Sequence, residues 1–183
     1  MVGLSVLIGI LLVALAWAAW TYNRLISLQN MRQEAWSGID VQLKRRHDLI
    51  PNLVAAVKGY ASHERLLFEN VARLRGQSQA AGSVQDKGKA EAALTASIHS
   101  LMAVAEAYPE LKANGNFLSL QKDLAAIEDE IQLARRYYNG TVRNVNILIE
   151  SFPSLLIARL IGAQKSEYFS LDGDERATPA VAF

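Results

Sequence analysis

The chain opens on the longest apolar run it contains. Residues 1 to 23, MVGLSVLIGILLVALAWAAWTYN, carry no charged side chain, and the first charge is Arg24. About 20 helical residues of this kind span a hydrocarbon core, so the run predicts a transmembrane helix. Its C-terminal end holds Trp17, Trp20 and Tyr22, rings that favour the water boundary of a bilayer. A cleaved signal peptide is the competing reading, since ALAW at 14 to 17 offers an Ala-x-Ala site. Such peptides start with a cationic stretch, and no Lys or Arg precedes this run. An uncleaved anchor is therefore expected.

Beyond the anchor, apolar positions return every three or four residues, which is the signature of one buried helix face. Leu25, Leu28, Trp36, Ile39 and Leu43 form a first face, and Leu53, Val57, Tyr60, Leu67, Val71 and Leu74 a second. After GQSQAAGSVQDKG (76 to 88), a third face runs through Leu94, Ile98, Leu101, Ala105 and Tyr108. The fourth, from Phe117 through Leu124, Ile131, Tyr138 and Val145 to Leu148, keeps a near-heptad spacing over roughly 50 Å of helix. No alternating β-branched run competes with these faces, and short connections join antiparallel neighbours. The pattern predicts an all-α protein: an anchor over 1–23, an up-and-down four-helix bundle over 24–163, and a tail over 164–183.

The breaks carry the polar chemistry. KRRHDLIPNL (44 to 53) places Pro51 where it suits the first turn of a second helix, with Asp48 as its cap and the cations closing the first helix. ANGN (113 to 116) offers Gly115 for a left-handed turn and Asn116 as an N-cap. Up-and-down topology puts both segments at the end of the bundle far from the membrane. The expected docking tip is Arg45, Arg46, His47, Asp48 and Asn52 beside Tyr108, Glu110, Lys112, Asn114 and Asn116. The opposite end returns to the bilayer with FPSLLIARLIG (152 to 162), whose Phe152, Leu155, Leu156 and Leu160 are expected at the lipid interface with Trp17, Trp20 and Tyr22.

Composition removes several functions. The chain has 183 residues and no cysteine, which excludes disulfides and thiolate metal sites. Lys plus Arg number 19 against 18 Asp plus Glu, leaving no basic footprint for nucleic acid. HERLL (63 to 67) lacks the second histidine of a zinc-protease helix, because Leu67 stands there, and His47, His63 and His99 lie on separate segments. No carboxylate pairing of the di-metal bundle type is present. No metal, cofactor or catalytic residue is expected. The His47–Asp48 neighbour pair is the weakest candidate, a general base without a visible nucleophile. YYNGTVRNVN (137 to 146) reads as a ligand groove or as hydrogen bonds that fix helix register. The tail's closing Val181 and Phe183 suit either capture of a C-terminal peptide by a partner or packing on this or a neighbouring bundle.

The segments 22 to 64, 105 to 146, FPSLLIARLIG and PAVAF together resemble the LemA family of bacterial membrane proteins. The resemblance covers essentially the whole chain. It implies a short N-terminal membrane segment followed by a bromodomain-like four-helix bundle, and no established enzymatic activity. Relatives that carry a lipoprotein cysteine near the end of the anchor imply a body outside the cytoplasm, whereas the five Lys/Arg at 24 to 48 favour the cytoplasmic side. Of the two, export is the expectation, at the inner membrane of a bacterium. Family context also suggests other membrane-associated proteins, a membrane protease among them, as partners. The resulting expectation is a single-pass, non-enzymatic scaffold that binds other proteins or forms a homo-oligomer. The alternative is a membrane-shaping or lipid-interface protein acting through residues 152 to 162, and a less favoured one is an enzyme using His47 and Asp48.

Overall fold

The structure, a computed structural model, describes residues 2–171 and is all-helical over them, with no strand. Six helices follow in order: α1 (Val2–Lys58), α2 (Arg65–Ala80), α3 (Val84–Glu106), α4 (Pro109–Lys112), α5 (Gly115–Glu150) and α6 (Ser154–Leu160). Six elements thus stand where four bundle helices and an anchor were expected. Val181 and Phe183 lie outside the described residues.

The largest departure from the sequence pattern is the absence of a break at Pro51. Helix α1 continues through it to Lys58. A proline inside a helix has no N–H for the carbonyl four residues back and crowds it. Here that carbonyl belongs to His47, and it accepts a hydrogen bond from Arg75 Nε of α2 at 2.7 Å. The stranded acceptor is satisfied by a side chain 28 residues away, and the helix passes. The first turn accordingly falls at 59 to 64, not at 44 to 52.

Two further boundaries move. Helix α2 runs to Ala80, so the polar stretch 76 to 88 contains a break of only three residues, 81 to 83. Ser83 then caps α3, accepting from Asp86 N at 3.0 Å and donating to its carboxylate at 2.7 Å. At α5 the cap is Asn114, whose Oδ1 accepts from the Asn116 and Phe117 amides at 2.9 and 3.2 Å. Asn116 lies two residues further on, already inside the helix, and Gly115 has no left-handed backbone. Among the described residues the glycine with positive φ is Gly162, at 67°.

The chain divides into two compact units, and α1 and α5 contribute to both. The first unit comprises Met1–Gly38 and Arg136–Glu167, the second Ile39–Arg135 and the chain from Tyr168 onward. In the second unit, Ile50, Leu53 and Val57 of α1, Val71 of α2, Leu94, Ile98 and Leu101 of α3, Leu111 of α4 and Leu124 of α5 share one core. In the first unit, Leu25 and Leu28 of α1 meet Val145 and Ile149 of α5 and Ala158 of α6.

Over residues 2 to 16, α1 is uncovered. Val2, Leu4, Leu7, Ile10, Leu11, Leu12 and Val13 are all exposed. This helix is long and apolar enough to cross a membrane by length and composition, and it fits a membrane-anchored protein.

Candidate functional site

Two of the expected tip residues are not at a tip. Because α1 does not stop at Pro51, Arg46 and His47 sit on its inward face and are buried, Arg46 completely. Arg46 pairs with the Glu91 carboxylate of α3 through one guanidinium nitrogen. Its other terminal nitrogen donates to Glu128 of α5 at 2.6 Å and to Thr95 of α3 at 2.9 Å. The second Glu91 oxygen receives His47 Nε2 at 2.8 Å and the Ser78 hydroxyl of α2. Six side chains from four helices thus close a polar cluster inside the second unit.

Burial alone would raise the Glu91 carboxyl. The His47 hydrogen bond, the Arg46 charge and the Ser78 hydroxyl outweigh that cost and hold it below its ordinary range.

Ser78, His47 and Glu91 are the residue types of a nucleophilic triad, and their geometry is not that of one. A triad uses opposite nitrogens of the imidazole for the acid and the hydroxyl. Here Glu91 Oε1 and Ser78 Oγ both approach Nε2, at 2.8 and 3.3 Å. The serine hydroxyl donates to the carboxylate rather than to the imidazole. Asp48, the other half of the sequence pair, is exposed and does not share this site with His47. The arrangement suits a polar cluster that fixes helix register. No cluster of three or more metal-ligating side chains occurs among the described residues.

The remaining tip residues separate. Arg45 and Asp48 line a groove of about 600 Å³ with Leu49, Asp123, Ala126, Ile127 and Glu130. Asn52 is exposed on α1. Around α4, Glu110, Lys112 and Asn116 are exposed while Tyr108 and Asn114 are half-buried. The turn that meets this region is 59 to 64: Asn114 Nδ2 lies 3.4 Å from the Tyr60 hydroxyl.

In the first unit the Tyr/Asn segment of α5 holds the chain that follows α6. Asn146 takes both backbone groups of Ser166, donating to its carbonyl at 3.0 Å and accepting from its amide at 2.8 Å. Tyr138 donates to the Glu167 carbonyl at 3.0 Å, and Arg32 reaches the Ser166 hydroxyl. Burial raises the Tyr138 hydroxyl above its ordinary range, with the nearby Arg32 charge opposing the shift. Trp36 stacks obliquely on Tyr138, ring centroids 5.3 Å apart. In the second unit the same chain continues over α3, where Phe169 is buried and the Ser170 carbonyl passes so close to Gly88 that no room is left for a Cβ there.

Sequence reasoning missed Glu91, Ser78 and Arg75. Glu91 had a visible signal, since it lies three residues before Leu94 on the same face as Ile98, a carboxylate on an apolar stripe. Arg75 had none, because its acceptor is made by a proline elsewhere in the chain.

At the membrane end, Trp20 and Tyr22 are exposed and Trp17 is half-buried. Phe152, Leu156 and Leu160 are exposed at 81%, 57% and 82%, and Leu155 is half-buried.

Comparison with known proteins gives relatives of two names. The chain is 26% identical to magnetosome protein MamQ 2 of Paramagnetospirillum magneticum, over 81% of this chain and 64% of that protein. It is 25% identical to magnetosome protein MamQ of Magnetospirillum gryphiswaldense over the same shares. To protein LemA of Metamycoplasma hominis it is 25% identical, over 84% of this chain and 71% of the relative. The chain therefore spans about two thirds (64%) of the length of the MamQ proteins it matches. The sequence profile of the LemA family matches residues 35–183, and the chain belongs to the LemA family.

Proposed function

We propose that this protein is a single-pass membrane scaffold without catalytic activity, which presents a helical body to protein partners or to further copies of itself. The observation that carries the reading is α1, one continuous helix that is uncovered and charge-free over its first turns and packed into both units further on. The polar groups that could serve chemistry are turned on each other in the Arg46–Glu91–His47–Ser78 cluster. The names of the matched relatives, LemA and magnetosome protein MamQ, denote no enzyme, which supports the same reading. The body is an up-and-down, bromodomain-like bundle on the outer side of a bacterial inner membrane, and a membrane protease is among the partners that family context suggests.

A photo-cross-linking residue placed at Arg45, Asn52, Glu110 or Lys112, all exposed, tests the scaffold role in intact cells. One recurring adduct, to a membrane protein or to the chain itself, is expected from at least one of these positions. A strictly monomeric protein in mild detergent together with no adduct from any position would overturn the proposal. Protease added to spheroplasts is expected to digest the body, and full protection would move it to the cytoplasm.

A further inference from the structure

Helix α6 is short, but it is locked at both ends. Ser154 Oγ engages the carbonyls of Leu148 and Ser151 at 2.7 and 2.9 Å, tying the start of α6 to the last turn of α5. Its C-terminus closes with Gly162 in the left-handed region, Gly162 N on Arg159 O at 3.1 Å and Ala163 N on Ala158 O at 2.9 Å. This is the paired-bond helix stop that only a glycine makes without strain. So fixed, α6 buries Ser154 and Ala158, four residues apart, and leaves Leu156 and Leu160 uncovered on its other side, with Phe152 exposed in the turn just before the helix.

The place of these apolar side chains is set by α1, in the same unit. Ala158 packs with Leu25 and Leu28, three and six residues beyond Tyr22. At 1.5 Å per residue those levels are about 5 and 9 Å past the ring that marks the water boundary. The polar zone of a bilayer is roughly 5 to 8 Å deep on each side, from its total and hydrocarbon thicknesses. An apolar stripe at that depth has a solvent that fits it: the junction of headgroups and acyl chains, where amphipathic helices lie with their apolar face inward. The span of α1 supplies the continuity, because the same membrane surrounds the helix on which α6 is seated.

We infer that α6 is a second membrane contact, a helix lying in the interface with its Leu156 and Leu160, and Phe152 of the turn before it, among the lipids, beside the point where α1 enters the bilayer. The inference rests on the reading of α1 as a membrane anchor. Because the stripe is apolar, the contact requires no particular headgroup.

The chain has no cysteine, so single cysteines at Leu156, Leu160, Leu11 and Val41 can each carry an environment-sensitive fluorophore in the full-length protein. These side chains are all exposed, and labels there do not disturb the core. The protein is reconstituted in vesicles of phosphatidylcholine, with and without phosphatidylglycerol. Quenchers are nitroxide phospholipids and aqueous iodide. Labels at 156 and 160 are expected to be quenched several-fold more by a shallow nitroxide than the label at Val41, and shielded from iodide, equally in both vesicles. The Leu11 label is expected to respond to a deep nitroxide. If Leu11 responds while positions 156 and 160 behave like Val41, α6 is in water and the inference fails while the anchor stands. Shielding of 156 and 160 from both quenchers would mean that protein covers the stripe, which also overturns it. An unresponsive Leu11 would remove the anchor and the inference together.

Discussion

Arg46 has no exposed surface, so its charge must be balanced where it lies. Removing one partner of a buried ion pair costs about 3–5 kcal/mol, because the other charge is left without solvent or counterion, whereas replacing both with apolar residues is often near neutral. Glu91→Ala is therefore expected to destabilise the protein by about 3–5 kcal/mol. Arg46→Met with Glu91→Leu should cost clearly less than Glu91→Ala alone; urea unfolding of the three proteins checks the order. The same carboxylate makes the fold acid-sensitive. Its folded value lies below its unfolded one, so its contribution is complete above the unfolded value and is lost as pH falls through the folded value. Thermal midpoints measured from neutral to acid pH are expected to fall below about pH 4.5 in the parent, near the ordinary carboxylate value. Glu91→Gln, starting lower, should fall less steeply there. The site was half legible at this scale. Arg46 and His47 stand out in the sequence as charge beside a proline, and there they suggest a helix end. Their true setting depends on carboxylates 45 and 82 residues further on.

At the scale of elements, apolar spacing identified every long face, and local chemistry misplaced the ends between them. Proline, glycine and serine mark where a helix can stop on its own account; whether it does depends on what docks against it. Polar composition at 76 to 88 suggested a long loop, yet Ser83 and Asp86 form the cap-and-return pair that fixes α3 at Val84. Pro51 suggested a stop that Arg75 overrides. This coupling is measurable as a double-mutant cycle. Arg75→Met is expected to cost about 1–3 kcal/mol, since it leaves the His47 carbonyl without its donor. With Pro51→Ala, the new amide at 51 can take that carbonyl, and Arg75→Met should then cost measurably less. Equal costs in the two backgrounds would show that Arg75 acts elsewhere.

For the whole molecule, the all-helical class, the apolar N-terminal helix and the family could be read from the sequence. The division into two units could not, because α1 and α5 each pass from one unit to the other without a break in periodicity. Nor could the fate of the segment after α6, which lacks helical spacing and is held by partners distant in sequence. Asn146 binds Ser166 by its peptide groups, and Gly88 accommodates the Ser170 carbonyl by having no side chain. Gly88→Ala is expected to displace that strand of chain and release the buried Phe169. Chymotryptic cleavage after Phe169, slow in the parent, should become several-fold faster; unchanged cleavage would mean that the neighbouring backbone yields without cost.

Arg75 also decides when α1 becomes a helix of full length. Before α2 docks, the His47 carbonyl lacks its donor and α1 is weakened at Pro51, so the short stretch of helix beyond it is less stable. The part of α1 after Pro51 therefore forms together with α2 as one cooperative unit, and its amides open to exchange when α2 leaves. The apolar stem before it carries no such dependence. A nascent chain can hold the membrane by a finished helix while its body is still assembling.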